Sequence, residues 1–151
     1  IVKQSVVLFM SEVFSNSIQE EEKNEDFYTY LEAGLIWLDA HDKIANFHLL
    51  FLLNAAHFLG FYPNTTETTL LGFDLLNGNF SEPTGHKNII SGNEFYQFKK
   101  LLGITFDTIE DVSFSKNERQ LVLQIIIRYF ELHLDGFRKP KSLQILEAVF
   151  N

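Results

Sequence analysis

Residues 43–59 read KIANFHLLFLLNAAHFL. Apolar side chains fall on every side of this stretch: Ile44, Phe47, Leu49, Leu50, Phe51, Leu52, Leu53, Ala55, Phe58 and Leu59. A helix that is apolar all round has no face for water and must be surrounded by other elements. Gly60 follows where a left-handed C-terminal cap belongs, and Pro63 stands just beyond. The pattern predicts a central helix over 43–59 in a mostly α fold.

Working outward, Val2, Val6, Phe9, Val13 and Phe14 recur near helical period and predict a helix over 2–17. Phe27, Tyr30, Leu31, Leu35 and Leu38 predict a second, over about 24–40. The run Glu20 to Asp26 between them (EEEKNED) reads as a solvated loop. Downstream, Leu70 to Phe80 reads LLGFDLLNGNF, two short apolar runs around Asn77-Gly78. That dipeptide suits a type I′ hairpin turn, whose two central residues need positive φ. A small β-hairpin insertion is therefore expected near residues 72–81, with a loop from Ser81 to Asn88. Ser91-Gly92-Asn93-Glu94 and Ser115-Lys116-Asn117-Glu118 both fit a capping box. The first opens a short helix to about Leu102. The second opens a long one through Leu121, Ile125, Tyr129 and Leu132, which Asp135-Gly136 ends. Ser142 opens a last helix, giving about six helices with one β insertion.

The chain has 151 residues, 46% apolar and 15% aromatic, with sixteen Phe. This is the composition of a folded single domain. There is no cysteine, so neither a disulfide framework nor a zinc-thiolate site can form. That suits a reducing, cytoplasmic compartment. No stretch has the apolar length of a membrane span. The chain opens on Ile1 inside a helical pattern, which reads as a piece of a longer protein. Twelve basic residues against twenty acidic ones give a net charge of −8, the wrong sign for a dedicated DNA-binding domain.

Motifs for catalysis are missing. No H-E-x-x-H, glycine-rich phosphate loop, G-x-S-x-G elbow or D-x-D calcium loop occurs, so no enzyme active site is expected. His48 and His57 are separated by about 900° of helical rotation and face opposite ways, so they cannot chelate one ion. His41 falls in a connecting loop and His86 in the long loop. His133 lies near a helix end, where the dipole favours a cation. Trp37 and the many Phe read as core.

Residues 128–150 read RYFELHLDGFRKPKSLQILEAVF. Arg138, Lys139 and Lys141 form the densest positive cluster of an acidic chain. They are either a solvated helix-entry loop or a docking point for an anion, whether a phosphate or an acidic peptide. Arg128, His133, Arg138, Lys139 and Lys141 are the candidate cations. Ser142 follows them, and Leu143, Leu146 and Phe150 could wall a pocket or simply be core.

The chain resembles the C-terminal helical domain of the bacterial recombination mediator RecO. The resemblance rests on Leu35-Ile36-Trp37-Leu38-Asp39, Ala45-Asn46-Phe47-His48-Leu49, Phe58-Leu59-Gly60-Phe61-Tyr62-Pro63-Asn64 and Phe73-Asp74-Leu75. It continues through Tyr129-Phe130-Glu131-Leu132-His133-Leu134, Lys141-Ser142-Leu143 and Ala148-Val149-Phe150. It implies a single domain over 1–151, lacking an N-terminal OB-fold that would carry most single-stranded DNA binding. It implies a non-enzymatic role in DNA repair and recombination in the bacterial cytoplasm, at the nucleoid. There the family anneals strands and, with RecR, helps RecA load onto strands coated by single-stranded DNA-binding protein (SSB). The helical part is similar to one that docks the acidic, Phe-ended C-terminal tail of SSB. Lys141-Ser142 matches the family's terminal motif. Many members carry a four-cysteine zinc site in the region matching Phe73 to Gly92. Without cysteine no zinc and no cofactor is expected, and the Asn77-Gly78 turn would hold that region. Leu49-Leu50 stand where some members have Arg on the central helix. The other reading is a purely structural helical scaffold that positions a DNA-binding domain.

Overall fold

The computed structural model describes residues 2–17 and 25–150. In chain order it contains α1 (Val2–Ser17), α2 (Glu25–Ala40), α3 (Phe47–Leu59), β1 (Gly72–Asp74), β2 (Asn79–Ser81) and β3 (Ile89–Ser91). Then come α4 (Gly92–Lys99), a 3₁₀ turn (Ile109–Asp111), α5 (Lys116–His133) and α6 (Leu143–Val149). The architecture is mostly α with a small β insertion, as the periodicity predicts. One hydrophobic cluster runs through the helices and the sheet.

α3 is the centre. Phe47, Leu49, Leu50, Phe51, Leu52, Leu53, Ala55 and Ala56 are all fully buried, with α1, α2 and α5 packed round them. Leu49 and Leu50 thus belong to the core. Gly60 ends the helix at φ 90°, and its N–H donates to Ala56 O at 3.0 Å. The start is later than the apolar run suggests. Asn46 is the N-cap residue but makes no side-chain cap bond. Its amide instead donates to Val112 O at 3.2 Å and accepts from Arg119 Nη1 at 3.4 Å. The cap is spent tying α3 to the segment entering α5.

α1 buries Val6, Phe9, Met10 and Val13, a stripe at helical spacing, while Val2 stays exposed. α2 buries Phe27, Gly34 and Leu38, and Leu35 turns partly outward. Gly34 marks a close approach: a Cβ there would lie 3.0 Å from Met10 Cε. Of the acidic run, residues 20–24 lie outside the described residues. Glu25 and Asp26 form not a loop but the first turn of α2, where carboxylates complement the helix dipole.

The β insertion differs from a simple hairpin in two ways. It is a three-stranded antiparallel sheet in the order β2-β1-β3, with Phe73 opposite both Phe80 and Ile90. The third strand hides in the sequence because Ile89 and Ile90 are only two apolar residues beside a loop. The turn is also not type I′. Gly78 has φ 71°, but among the described residues none other than glycine has positive φ, so Asn77 does not. The turn spans four residues, closed by Gly78 N–H donating to Asp74 O at 2.8 Å. The Asp74 carboxylate accepts the N–H groups of Leu76 (2.9 Å) and Asn77 (3.1 Å) and the Asn77 side-chain amide (2.8 Å). Gly78 is needed twice over. Its φ suits glycine, and a Cβ would meet the Tyr129 hydroxyl at 2.9 Å.

The two capping boxes part company. Ser115 makes both bonds: its Oγ accepts from Glu118 N at 3.1 Å, and its own N–H donates to Glu118 Oε1 at 2.8 Å. Ser91 occupies the N-cap position of α4 but makes no cap bond. It is also the last residue of β3, paired with Gly72, and its extended backbone runs straight into the helix. α4 ends at Lys99, short of Leu102, and tighter i→i+3 turns carry the chain on.

Candidate functional site

The cationic loop is the first place to look. Arg138, Lys139 and Lys141 are all exposed, while Pro140 between them is buried. The loop's backbone is pinned at both ends to α1. The Asn16 side-chain amide donates to Arg138 O at 2.9 Å. The Glu12 carboxylate accepts the Lys141 N–H at 2.7 Å and the Ser142 N–H at 2.9 Å. Burial raises the Glu12 carboxyl, but the bonds from Ser142 and Lys141 and the Lys141 charge outweigh it and hold the pKa below its ordinary value. Ser142 is buried and makes no side-chain cap bond to α6; Glu12 accepts the N–H of Ser142 itself rather than one inside the helix.

Arg128 and His133 do not extend this surface. The Arg128 guanidinium donates to Lys87 O at 2.9 Å, and His133 Nε2–H donates to Leu75 O at 2.6 Å. The His133 ring stacks on Phe61 at 5.5 Å. The Tyr129 hydroxyl, on the same helix, donates to Phe61 O. These side chains of α5 clamp the β insertion to the helices. Leu143 and Leu146 are buried core. Phe150 is half-buried and stacks on His48 at 5.1 Å.

The histidines of α3 face opposite ways, as their spacing requires. His57 is exposed and stacks on Tyr62 at 3.6 Å. His48 is 3% exposed and edge-on to Phe9. Burial, then the charge of Arg119, pushes its pKa down to about 3, so it is neutral at physiological pH. Among the described residues no cluster of His, Asp or Glu is placed to hold a metal ion. The donors of the β insertion do not fit zinc. Asp74 is committed to its turn, His86 Nδ1 accepts the Asn88 N–H, and His133 is bonded to Leu75 O.

One surface was not singled out by the sequence. Leu71, Gly92, Phe95, Tyr96, Lys99 and Lys100 line a groove of about 500 Å³ beside α4. Leu71 is 66% exposed and Tyr96 61%. Lys99 Nζ lies over the Phe80 and Phe95 rings at 5.9 and 5.7 Å. Lys100 Nζ lies over Tyr96 and Phe114 at 5.2 and 5.4 Å. The sequence signal is a pair of adjacent lysines closing an aromatic-rich helix.

The chain is a helical domain with a short β insertion and exposed cationic and apolar surfaces. The chain matches the family described as Recombination protein O C terminal over residues 1–144. It is 46% identical over 151 residues to DNA repair protein RecO of Flavobacterium psychrophilum and 45% over 152 to that of Flavobacterium johnsoniae. It is 42% identical over 149 to that of Christiangramia forsetii. All or nearly all of the chain is covered, but it spans only 62–63% of those relatives' length. No solved structure matches it. The chain belongs to the RecO C-terminal family. Among the described residues no helix is long and apolar enough to cross a membrane.

Proposed function

We propose that this domain is the non-catalytic, partner-docking part of a DNA repair and recombination mediator. The observation that carries the reading is the loop at Arg138, Lys139 and Lys141. It presents three exposed cations on a backbone held by Asn16 and Glu12. An anchored cationic loop meets an anionic partner with less ordering cost than a free one. On this reading the partner is the acidic, Phe-ended tail of SSB, with RecR as a second. The full protein then supports strand annealing and RecA loading, and single-stranded DNA is held mainly by other parts of it. Ser142 gives its N–H to Glu12 and so helps to anchor the loop.

The test is fluorescence anisotropy of a labelled SSB tail peptide with this chain, beside the Arg138→Ala, Lys139→Ala, Lys141→Ala triple variant. Saturable binding that weakens about ten-fold in the variant is expected. No binding to the unaltered chain favours the scaffold reading, in which the domain only positions a DNA-binding domain.

A further inference from the structure

We propose that the outer face of α2, with the adjoining edge of α1, seats a cationic amphipathic helix of a partner protein. Tyr28, Leu35 and Ile36 take its apolar stripe, and Glu25, Glu32 and Asp39 its lysines or arginines. This surface is opposite in charge to the loop at Arg138 and takes a different class of ligand.

α2 reads EDFYTYLEAGLIWLDA, with four carboxylates and no cation. Glu25, Glu32 and Asp39 recur at heptad intervals, and Tyr28, Leu35 and Ile36 fall between them. On a helix these six positions share one face, within an arc of about 100°. All six side chains are exposed, Tyr28 to 58% and Ile36 to 64%. α1 widens the apolar part. Lys3 Nζ donates to Asp39 O at 3.2 Å, and the Phe14 and Tyr28 rings meet at 4.8 Å. The two helices therefore run antiparallel, which sets Val7 beside Leu35. Val7 and Leu8 are exposed as well. More than half of the exposed large apolar side chains among the described residues lie on these two helices. Such grouping marks an interaction surface, where scattered single residues do not.

Charge selects the occupant. Among the described residues the one ion pair joins Lys3 Nζ to Asp42 Oδ1 at 3.9 Å, so the carboxylates of this face are not in ion pairs there. A row of carboxylates repels nucleic acid and an anionic lipid surface. A second copy laid α2 against α2 would set carboxylate against carboxylate, which disfavours the pair. A cationic helix meets neither cost. The heptad interval of the acids is also the repeat of a helix lying alongside. In such a pair the apolar residues supply the contact and the charged flanks choose the partner.

The probe is a fluorescein-labelled helical peptide of about three heptads, with leucine at the a and d positions and lysine at e and g. A second peptide carries the same residues in scrambled order. Both are titrated against the unaltered chain, Leu35→Ser/Ile36→Ser and Glu32→Gln/Asp39→Asn, and a matching thermal transition confirms each fold. The acid-to-amide pair barely changes shape, so it carries the test alone if the serine pair does not fold. Saturable binding of the amphipathic peptide is expected, about ten-fold or more weaker in each variant and for the scrambled peptide. Binding unchanged in the variants, equal binding of the scrambled peptide, or no saturable binding overturns the proposal. Sedimentation equilibrium that shows the unaltered chain as a dimer and Leu35→Ser/Ile36→Ser as a monomer overturns it too, since the face then belongs to a second copy.

Discussion

Stability is expected to fall by on the order of 3 kcal/mol between about pH 6.5 and pH 4, most of it through one residue, His48. The side chain is fully buried, and burial followed by the nearby Arg119 charge lowers its pKa from 6.5 to about 3. In the unfolded chain it titrates near 6.5. Below that pH the unfolded state binds a proton that the folded state refuses. The stabilisation is therefore complete above 6.5 and drains away as pH falls toward about 3. His57, lowered by burial, adds a smaller loss in the same window. Glu12, held below its ordinary value of 4.5, adds another that begins near pH 4.5 and continues as the pH falls further. Urea unfolding of the unaltered chain and His48→Gln at both pH values separates these parts. The variant should lose on the order of 1 kcal/mol or less across the window. An equal loss in both would show that His48 is not the source.

Phe51→Ala is expected to cost about 3–5 kcal/mol. The ring is fully buried in α3, stacked on Tyr30 at 5.2 Å and 4° and beside Phe47 at 6.1 Å. Tyr30 continues the stack to Phe58 at 4.7 Å and Phe106 at 5.6 Å, and its hydroxyl donates to Phe51 O at 2.7 Å. Such a cavity is bounded by large flat rings that are themselves stacked, so it closes poorly. Ile36→Ala, at a position 64% exposed on α2, should stay within about 0.5 kcal/mol. Chemical denaturation measures both. Similar small effects would mean that α3 is not the packed centre.

What the sequence shows and hides follows from the range of each interaction. α3 was legible because residues 47–56 are apolar except for His48 and Asn54, without regard to period, and its Gly60 cap because the αL signal sits beside the helix. The box at Ser115 was legible for the same reason: both partners are three residues apart. Distant partners defeat such reading. Asn46 gives its cap to Val112 and Arg119, and Glu12 caps Lys141 and Ser142 from across the fold. Asp74 reshapes a turn that Asn77-Gly78 alone would have made type I′.

The candidate site divides the same way. The cluster at Arg138, Lys139 and Lys141 was visible as charge density. That Arg128 and His133 would instead grip the backbone at Lys87 and Leu75 was not, since both partners lie more than forty residues away along the chain. The α4 groove needs Leu71 to meet Tyr96, a juxtaposition that only the β1–β3–α4 packing creates.

Calorimetric titration of this chain with intact SSB, and with SSB lacking its acidic C-terminal tail, tests the docking claim most directly. Saturable binding to the intact protein that weakens with added salt, and none to the tailless one, is the predicted result. Equal binding to both, or binding to neither, would contradict it.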